Sequence, residues 1–160
     1  MASGHIDPRL GPKNELILLR KRFIQLDTYL FHMESRPVLR AHVPYGAGIS
    51  RDGQTVYIDA RLDLYLNNVD LSPALSAHEQ VEFGLRQFAK IGEDYAADPR
   101  GHRLANRAEY DKLSELFPNL DADEAWNMYH KHLDPQIRAI ENLPFENIPY
   151  NLATHQGSPK

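Results

Sequence analysis

The segment SPALSAHEQVEFGLRQFAKIGEDYAADPRGHRLANRAEY, residues 72–110, decides the architecture of this chain. It contains two helix starts, Ser-Pro at 72–73 and Asp-Pro at 98–99, in which a capping residue precedes a proline at the first helical position. We predict one helix over about 72–90, ended by glycine, and a second over about 99–116. The segment should therefore form a helical hairpin.

The first predicted helix carries the pentad His-Glu-Gln-Val-Glu at residues 78–82. Side chains four residues apart lie on one face of a helix, so His78 and Glu82 should project together. Glu79 is turned away from them by about 100°. The pentad thus offers two metal-ligand residues beside a carboxylate that could act as a base.

The second predicted helix carries His102 and Glu109, which are nearly two full turns apart and face the same way. Ala105, Leu113 and Leu116 share this face, so a histidine and a glutamate lie within an apolar stripe. An ionised carboxylate in such a place costs several kcal/mol unless it is paired or bound to a cation. A metal ion most simply accounts for acids and histidines that converge across the hairpin.

A catalytic zinc site needs three protein ligands and one open position for water. His78, Glu82 and His102 supply such a set, for zinc or for another divalent metal such as manganese or iron. Glu79 is the candidate general base. Glu109 would either orient a histidine or act as a fourth ligand.

Two alternatives remain open for these residues. The acids could instead form salt bridges with Arg86, Arg103 or Arg107, and the histidines could be structural. A carboxylate-bridged di-metal centre also uses Glu and His from facing helices, although the chain lacks the paired Glu-x-x-His motifs of that class. Tyr95, between the two helices, is either a donor to a reaction oxyanion or a packing residue.

The chain resembles the gluzincin branch of the zincin metallopeptidases over roughly residues 47–112. Their active helix carries His-Glu-x-x-His and their next helix supplies a glutamate. Here Glu82 stands at the second motif position and His102 at the distal one, so the ligand set is kept with two members exchanged. The resemblance implies a peptide substrate held along an edge strand, here 55–59. The chain also resembles uncharacterised bacterial and phage proteins with a His-Glu-x-x-Glu motif, which leaves a non-catalytic, phage-associated or regulatory interaction module as an alternative.

Outside the hairpin, the patterns predict two more helices and a small sheet, which makes the fold class α+β with about four helices. Residues 14–32 carry a helical stripe that fits a core helix or a short seam for a homodimer. A third long helix should begin near residue 121 or 123 and end before Pro144, with a kink or break near Asp134 because Pro135 lies inside it. The stripe of the first helix is Leu16, Leu19, Phe23, Leu26, Leu30 and Met33.

The predicted sheet lies between residues 38 and 59. The Asp-Gly turn at 51–54 should join a strand at 47–50 to one at 55–59 as an antiparallel hairpin. A further strand is expected at 38–45, and residues 61–71 read as a connector. The chain should be one domain, residues 1–160. We expect flexible tails at 1–12, with docking as the alternative, and at 152–160.

The composition narrows the function. The 160 residues carry a net charge of −4 without a basic run, which argues against nucleic-acid binding. There are no cysteines, so thiolate sites and cysteine nucleophiles are excluded. No secretion signal or membrane-spanning stretch is evident, and we expect a cytoplasmic protein without membrane contact whose partner is a peptide or protein substrate.

Overall fold

The computed structural model describes residues 7–94 and 97–153. Within these ranges the chain combines five α-helices with short strands, which confirms the α+β class. The helices are α1 Glu15–Arg22, α2 Ile24–Phe31, α3 Ser72–Ala89, α4 Arg100–Leu116 and α5 Ala122–Glu141. The strands are β1 Val38–Ala41, β2 Ala47–Ile49, β3 Val56–Asp59, β4 Tyr65–Leu66 and β5 Val69–Asp70.

The N-terminal helix is divided at Phe23, so the prediction of one uninterrupted helix over 14–32 is wrong. Phe23 has an extended backbone (φ −116°, ψ 98°), and α2 starts directly after it. At α3, Gly84 lies so close to α2 that an added Cβ would come within 3.0 Å of Leu26 and 3.1 Å of Tyr29. We attribute the break to this close packing, because tertiary contacts override helix propensity.

The stripe on these helices is a core stripe along most of its length. Leu19, Leu26 and Leu30 are buried. Leu16, Phe23 and Met33 are partly buried and pack against the core.

The predicted β-hairpin is present, with β2 antiparallel to β3 and Gly53 (φ 73°) in its turn. The third strand, β1, is parallel to β3 on its other side, so the strand order is β1-β3-β2. The expectation of an edge strand at 55–59 is therefore wrong, because β3 is the central strand. β1 is also shorter than predicted, since a turn of 3-10 helix at Pro44–Gly46 follows it.

A second, two-stranded hairpin lies inside the predicted connector at 61–71. β4 and β5 are antiparallel, and the turn residues Asn67 and Asn68 both have positive φ, 51° and 65°. Such conformations are those of a type I′ hairpin turn, which favours asparagine and glycine. The Asn-Asn pair was the sequence signal for this hairpin.

The helical hairpin α3–α4 agrees with its prediction. Ser72 is the first helical residue rather than the cap, and its N–H donates to Asp70 Oδ1 at 2.9 Å. Asp98 Oδ1 accepts from Arg100 N at 3.2 Å at the start of α4. The connection after α3 approaches the start of α4 closely where Gly92 faces Gly101.

Helix α5 continues through Pro135, so of the kink or break predicted near Asp134 the break is excluded. Proline inside a helix costs about 3 kcal/mol. Tyr129, Leu133 and Ile140 are buried on either side of it, and this packing holds both halves of the helix in place.

The described parts of both predicted tails are docked. Gly11 N donates to Arg103 O at 2.8 Å, and Trp126 Nε1 donates to Asp7 Oδ2 at 3.0 Å. At the other end, Leu152 bridges to Ser50 beside β2. Among the described residues, no helix has the length and apolar character that crossing a membrane requires.

Candidate metal centre

Helix α3 is buried around its whole circumference, and its polar residues are buried with it. Every residue from 74 to 85 is buried, including His78, Glu79, Gln80 and Glu82. As the i, i+4 spacing predicts, His78 and Glu82 share a face, with 4.0 Å between His78 Nε2 and Glu82 Oε1. This face is turned toward α4.

Helix α4 brings His102 to the same place. His102 Nδ1 lies 3.0 Å from Glu82 Oε2, and the rings of His102 and His78 meet edge to face with centroids 4.9 Å apart. The side chain of His102 is 34% exposed, against 10% for His78. The cluster is therefore closed on the α3 side and reachable by solvent beside His102.

The three side chains have the geometry of a metal site. One ligand atom from each of His78, Glu82 and His102 lies within 4.8 Å of the others. Two ligand atoms of a tetrahedral zinc ion are about 3.4 Å apart, so the longest separation in the group would have to shorten by up to about 1.4 Å around an ion. Two nitrogen donors and one oxygen donor suit zinc and neighbouring divalent metals. These residues could hold a metal ion.

Glu109 lies behind His78. Its Oε1 is 2.8 Å from His78 Nδ1, which leaves Nε2 of the same ring directed toward Glu82. The hydroxyl of Tyr129, on α5, donates to Oε2 of Glu109. Glu109 is thus positioned by one helix and contacts a histidine of another.

Tyr129 is the member of this network that the sequence did not single out. It lies on the buried face of α5 with Trp126 and Leu133. A buried tyrosine hydroxyl usually has a hydrogen-bond partner, so its place in an apolar stripe was the available signal. The identity of that partner depends on how α5 packs against α4.

The electrostatics of the cluster reflect its buried acids. Burial disfavours charge on His78 and lowers its pKa, but Glu109, Glu82 and Glu79 outweigh this effect and raise the pKa to about 10. Burial raises the pKa of Glu109, yet contacts with His78 and Tyr129 bring it below its ordinary value. The carboxylates therefore attract positive charge, which either a proton on His78 or a bound cation can supply.

The remaining predicted residues fall in three places. Glu79 is buried on α3, close enough to His78 and Tyr129 for its charge to raise the pKa of both. Tyr95 lies outside the described residues. Arg107, a salt-bridge candidate in the alternative interpretation, donates to Gly11 O and packs against the ring of Tyr110.

Fold and site together define an α+β protein with a candidate three-ligand metal centre in a helical hairpin. Within the two described ranges, one such group of ligand-type side chains converges, and it has three members. Comparisons of the chain with protein-family models, curated proteins and solved structures found no match.

Proposed function

We propose that this protein is a metal-dependent hydrolase, with zinc as the metal and a peptide as the substrate. The observation that carries the proposal is the convergence of His78, Glu82 and His102 from two helices, with their ligand atoms within 4.8 Å. When bound at such a site, zinc lowers the pKa of water in its open coordination position toward neutrality. The exposed side of His102 gives solvent and substrate an approach to the cluster.

The chain's own residues have distinct parts in this proposal. Glu79 is the general base: its carboxylate takes a proton from the attacking water and passes it to the nitrogen of the departing amine. Glu109 holds His78 by its Nδ1 and so directs Nε2 toward the ligand group, while Tyr129 fixes Glu109. Ligating histidines commonly have such carboxylate partners, and this arrangement favours the orienting role of Glu109 over direct ligation. Tyr95 remains a proposed donor to the reaction oxyanion.

The peptide substrate is proposed from the donor set, which matches that of the gluzincins with two positions exchanged. The strand expected to hold the peptide, β3, is paired on both sides and does not support this part of the resemblance. Substrate discrimination therefore needs a direct assay with peptides of mixed sequence and with simple esters.

Metal content is the first test of the proposal. We expect the protein purified without added metal to contain about one equivalent of a divalent metal by elemental mass spectrometry. His78→Ala and His102→Ala should lose it. His132→Ala is the matched control, because His132 contacts Asp63 O at 2.9 Å outside the cluster. Parent protein without zinc, iron or manganese would disprove the proposal.

The role of Glu79 is tested by Glu79→Gln, which keeps the shape and removes the base. We expect metal content to remain and hydrolysis to fall about 10²–10⁴-fold. The matched control is Glu124→Gln on the exposed surface of α5. Full activity in Glu79→Gln would show that the mechanism is wrong even if metal is bound.

A second candidate function is a non-catalytic interaction module that uses the N-terminal helices. The apolar side chains of Ile17, Leu18, Ile24 and Phe31 are exposed on α1 and α2. Since the predicted seam residues Leu19, Leu26 and Leu30 are buried in the core, a homodimer would have to use this outer side. Concentration-dependent dimerisation of metal-free protein, measured by light scattering, would favour this function.

A further inference from the structure

A cavity of about 760 Å³ lies on the side of α3 away from the candidate metal centre. It is formed by α2, the segment after α2 and the turn of the β2–β3 hairpin. Gln80 marks this side of α3, because it is two positions, about 200°, around the helix from His78. The cavity is lined, among others, by Thr28, Tyr29, Ser35, Arg36, Thr55 and Phe88.

Arg36 is held rigidly at this cavity. Its Nη1 donates to Tyr29 O and to Gln80 Oε1, both at 2.9 Å. Its guanidinium carbon lies 3.7 Å from the centroid of the Tyr29 ring. Backbone oxygen, amide oxygen and aromatic ring are all neutral, so they orient the guanidinium without cancelling its charge.

The charge on Arg36 has no counter-ion within the described residues. No carboxylate of a described residue lies within ion-pair distance of its guanidinium. Arg61, by contrast, is paired with the buried Asp59 at 2.9 Å. The Nε atom of Arg36 is also buried, and it has no hydrogen-bond partner among the described residues. A buried N–H of a cation without an acceptor is costly, which indicates that an acceptor is missing here.

The rest of the cavity wall suits an anion with a flat organic body. Thr28, Ser35 and Thr55 carry hydroxyl groups, and the rings of Tyr29 and Phe88 are 5.6 Å apart at the wall. A volume of this size is in the range of small-molecule sites. A planar guanidinium can bind a carboxylate or a phosphate through two parallel hydrogen bonds.

We propose that this cavity binds a small aromatic anion, with its carboxylate or phosphate group on Arg36 and its ring beside Phe88. The site is separate from the candidate metal centre and does not rest on the hydrolase proposal. The residues that separate the two are those of α3 itself, which is buried on all sides.

The test is an NMR titration of the isotopically labelled protein with sodium benzoate and with phenyl phosphate, at constant ionic strength. We expect saturable shifts of the Arg36 Nε–H signal and of the amide signals of Thr55 and Phe88. Binding of benzoate alone identifies a carboxylate ligand, and binding of phenyl phosphate alone identifies a phosphate ligand. If neither probe shifts these signals at about 10 mM, the proposal is wrong.

Because phosphate could also bind a metal ion, the titration is repeated with His102→Ala. The shifts at Arg36 should persist in that variant, since His102 lies on the other side of α3. Shifts that disappear with His102 would report on the metal centre and would overturn the proposal.

Arg36→Gln keeps hydrogen-bond donors and removes the charge, so the affinity for the bound probe should fall about 10- to 100-fold. Arg40→Gln is the matched control, because Arg40 donates to the carbonyl oxygens of Asp59 and Leu62 and does not line the cavity. If Arg36→Gln does not fold, Arg36→Lys decides, since it keeps the charge and loses the planar pair of donors; about tenfold weaker binding is expected. Unchanged affinity in the decisive variant would contradict the proposal.

Discussion

The two sides of helix α3 bury polar groups at similar depth and stabilise them by different means. On one side Gln80, fully buried, donates to Met33 O at 3.0 Å and to Ser76 Oγ at 2.9 Å, and accepts from Arg36. On the other side, Glu82 faces two histidines and another buried acid, Glu109, lies close behind. A neutral amide can be satisfied completely by fixed partners, whereas a cluster of carboxylates needs positive charge, which comes from a proton on His78 or from a bound cation. The two sides should therefore respond differently to a metal ion and to substitution.

The largest difference should appear when metal is removed. Metal that binds the folded state alone stabilises it by about 3–4 kcal/mol when the free ion is at 100–1,000 times its dissociation constant. We expect a chelator to lower the free energy of unfolding in urea by about this amount. His78→Ala should show no response to the chelator. Identical unfolding curves of the parent protein with and without chelator would remove the distinction between the two sides.

The next largest effect is expected on the amide side, from Gln80→Leu. The leucine has a similar volume but leaves Met33 O without its side-chain donor and Arg36 Nη1 without one of its two acceptors, so the free energy of unfolding should fall by about 2 kcal/mol. Metal content should stay at the value of the parent protein, because Gln80 points away from His78. A variant that loses both stability and metal would indicate that the two sides are coupled through the helix.

A smaller effect should distinguish two buried tyrosines. Tyr129→Phe removes the hydroxyl that holds Glu109, so the affinity for zinc should fall about tenfold, with a loss of about 1 kcal/mol in unfolding free energy. Tyr29→Phe is the matched control, because its hydroxyl donates to Gly53 O at 2.7 Å on the amide side. It should cost similar stability and leave zinc affinity unchanged. Equal zinc affinity in both variants would show that Glu109 does not depend on Tyr129.

Sequence periodicity predicted the parts of the site that lie on one helix or on two helices joined by a short connection. His78 and Glu82 are four residues apart on a strong helical pattern, and a short connection brings His102 back alongside. Tyr129 and Arg36 contact these elements from distant parts of the chain. Helical spacing carries no information about such contacts, so they became visible only in the folded structure.

The same limit explains the errors in the fold. Proline and glycine at the ends of α3 and α4 predict their bounds because these residues act on the local backbone. By contrast, the break at Phe23 depends on how α2 packs against Gly84. The central place of β3 depends on which side β1 joins, and alternation along a strand does not specify its neighbours.

The smallest predicted effect separates the stability of α3 from the chemistry on either side of it. Lys90 ends the helix in the left-handed conformation (φ 56°, ψ 36°), where its N–H donates to Leu85 O. Lys90→Gly should stabilise the protein by about 0.5–1 kcal/mol, because glycine adopts this conformation without steric cost. Zinc affinity and the shifts at Arg36 should both remain as in the parent protein, because neither site includes the exposed side chain of Lys90. If Lys90→Gly changed zinc affinity, the stability of the helix would itself contribute to metal binding, and the losses in the tyrosine variants could no longer be assigned to their hydroxyl groups.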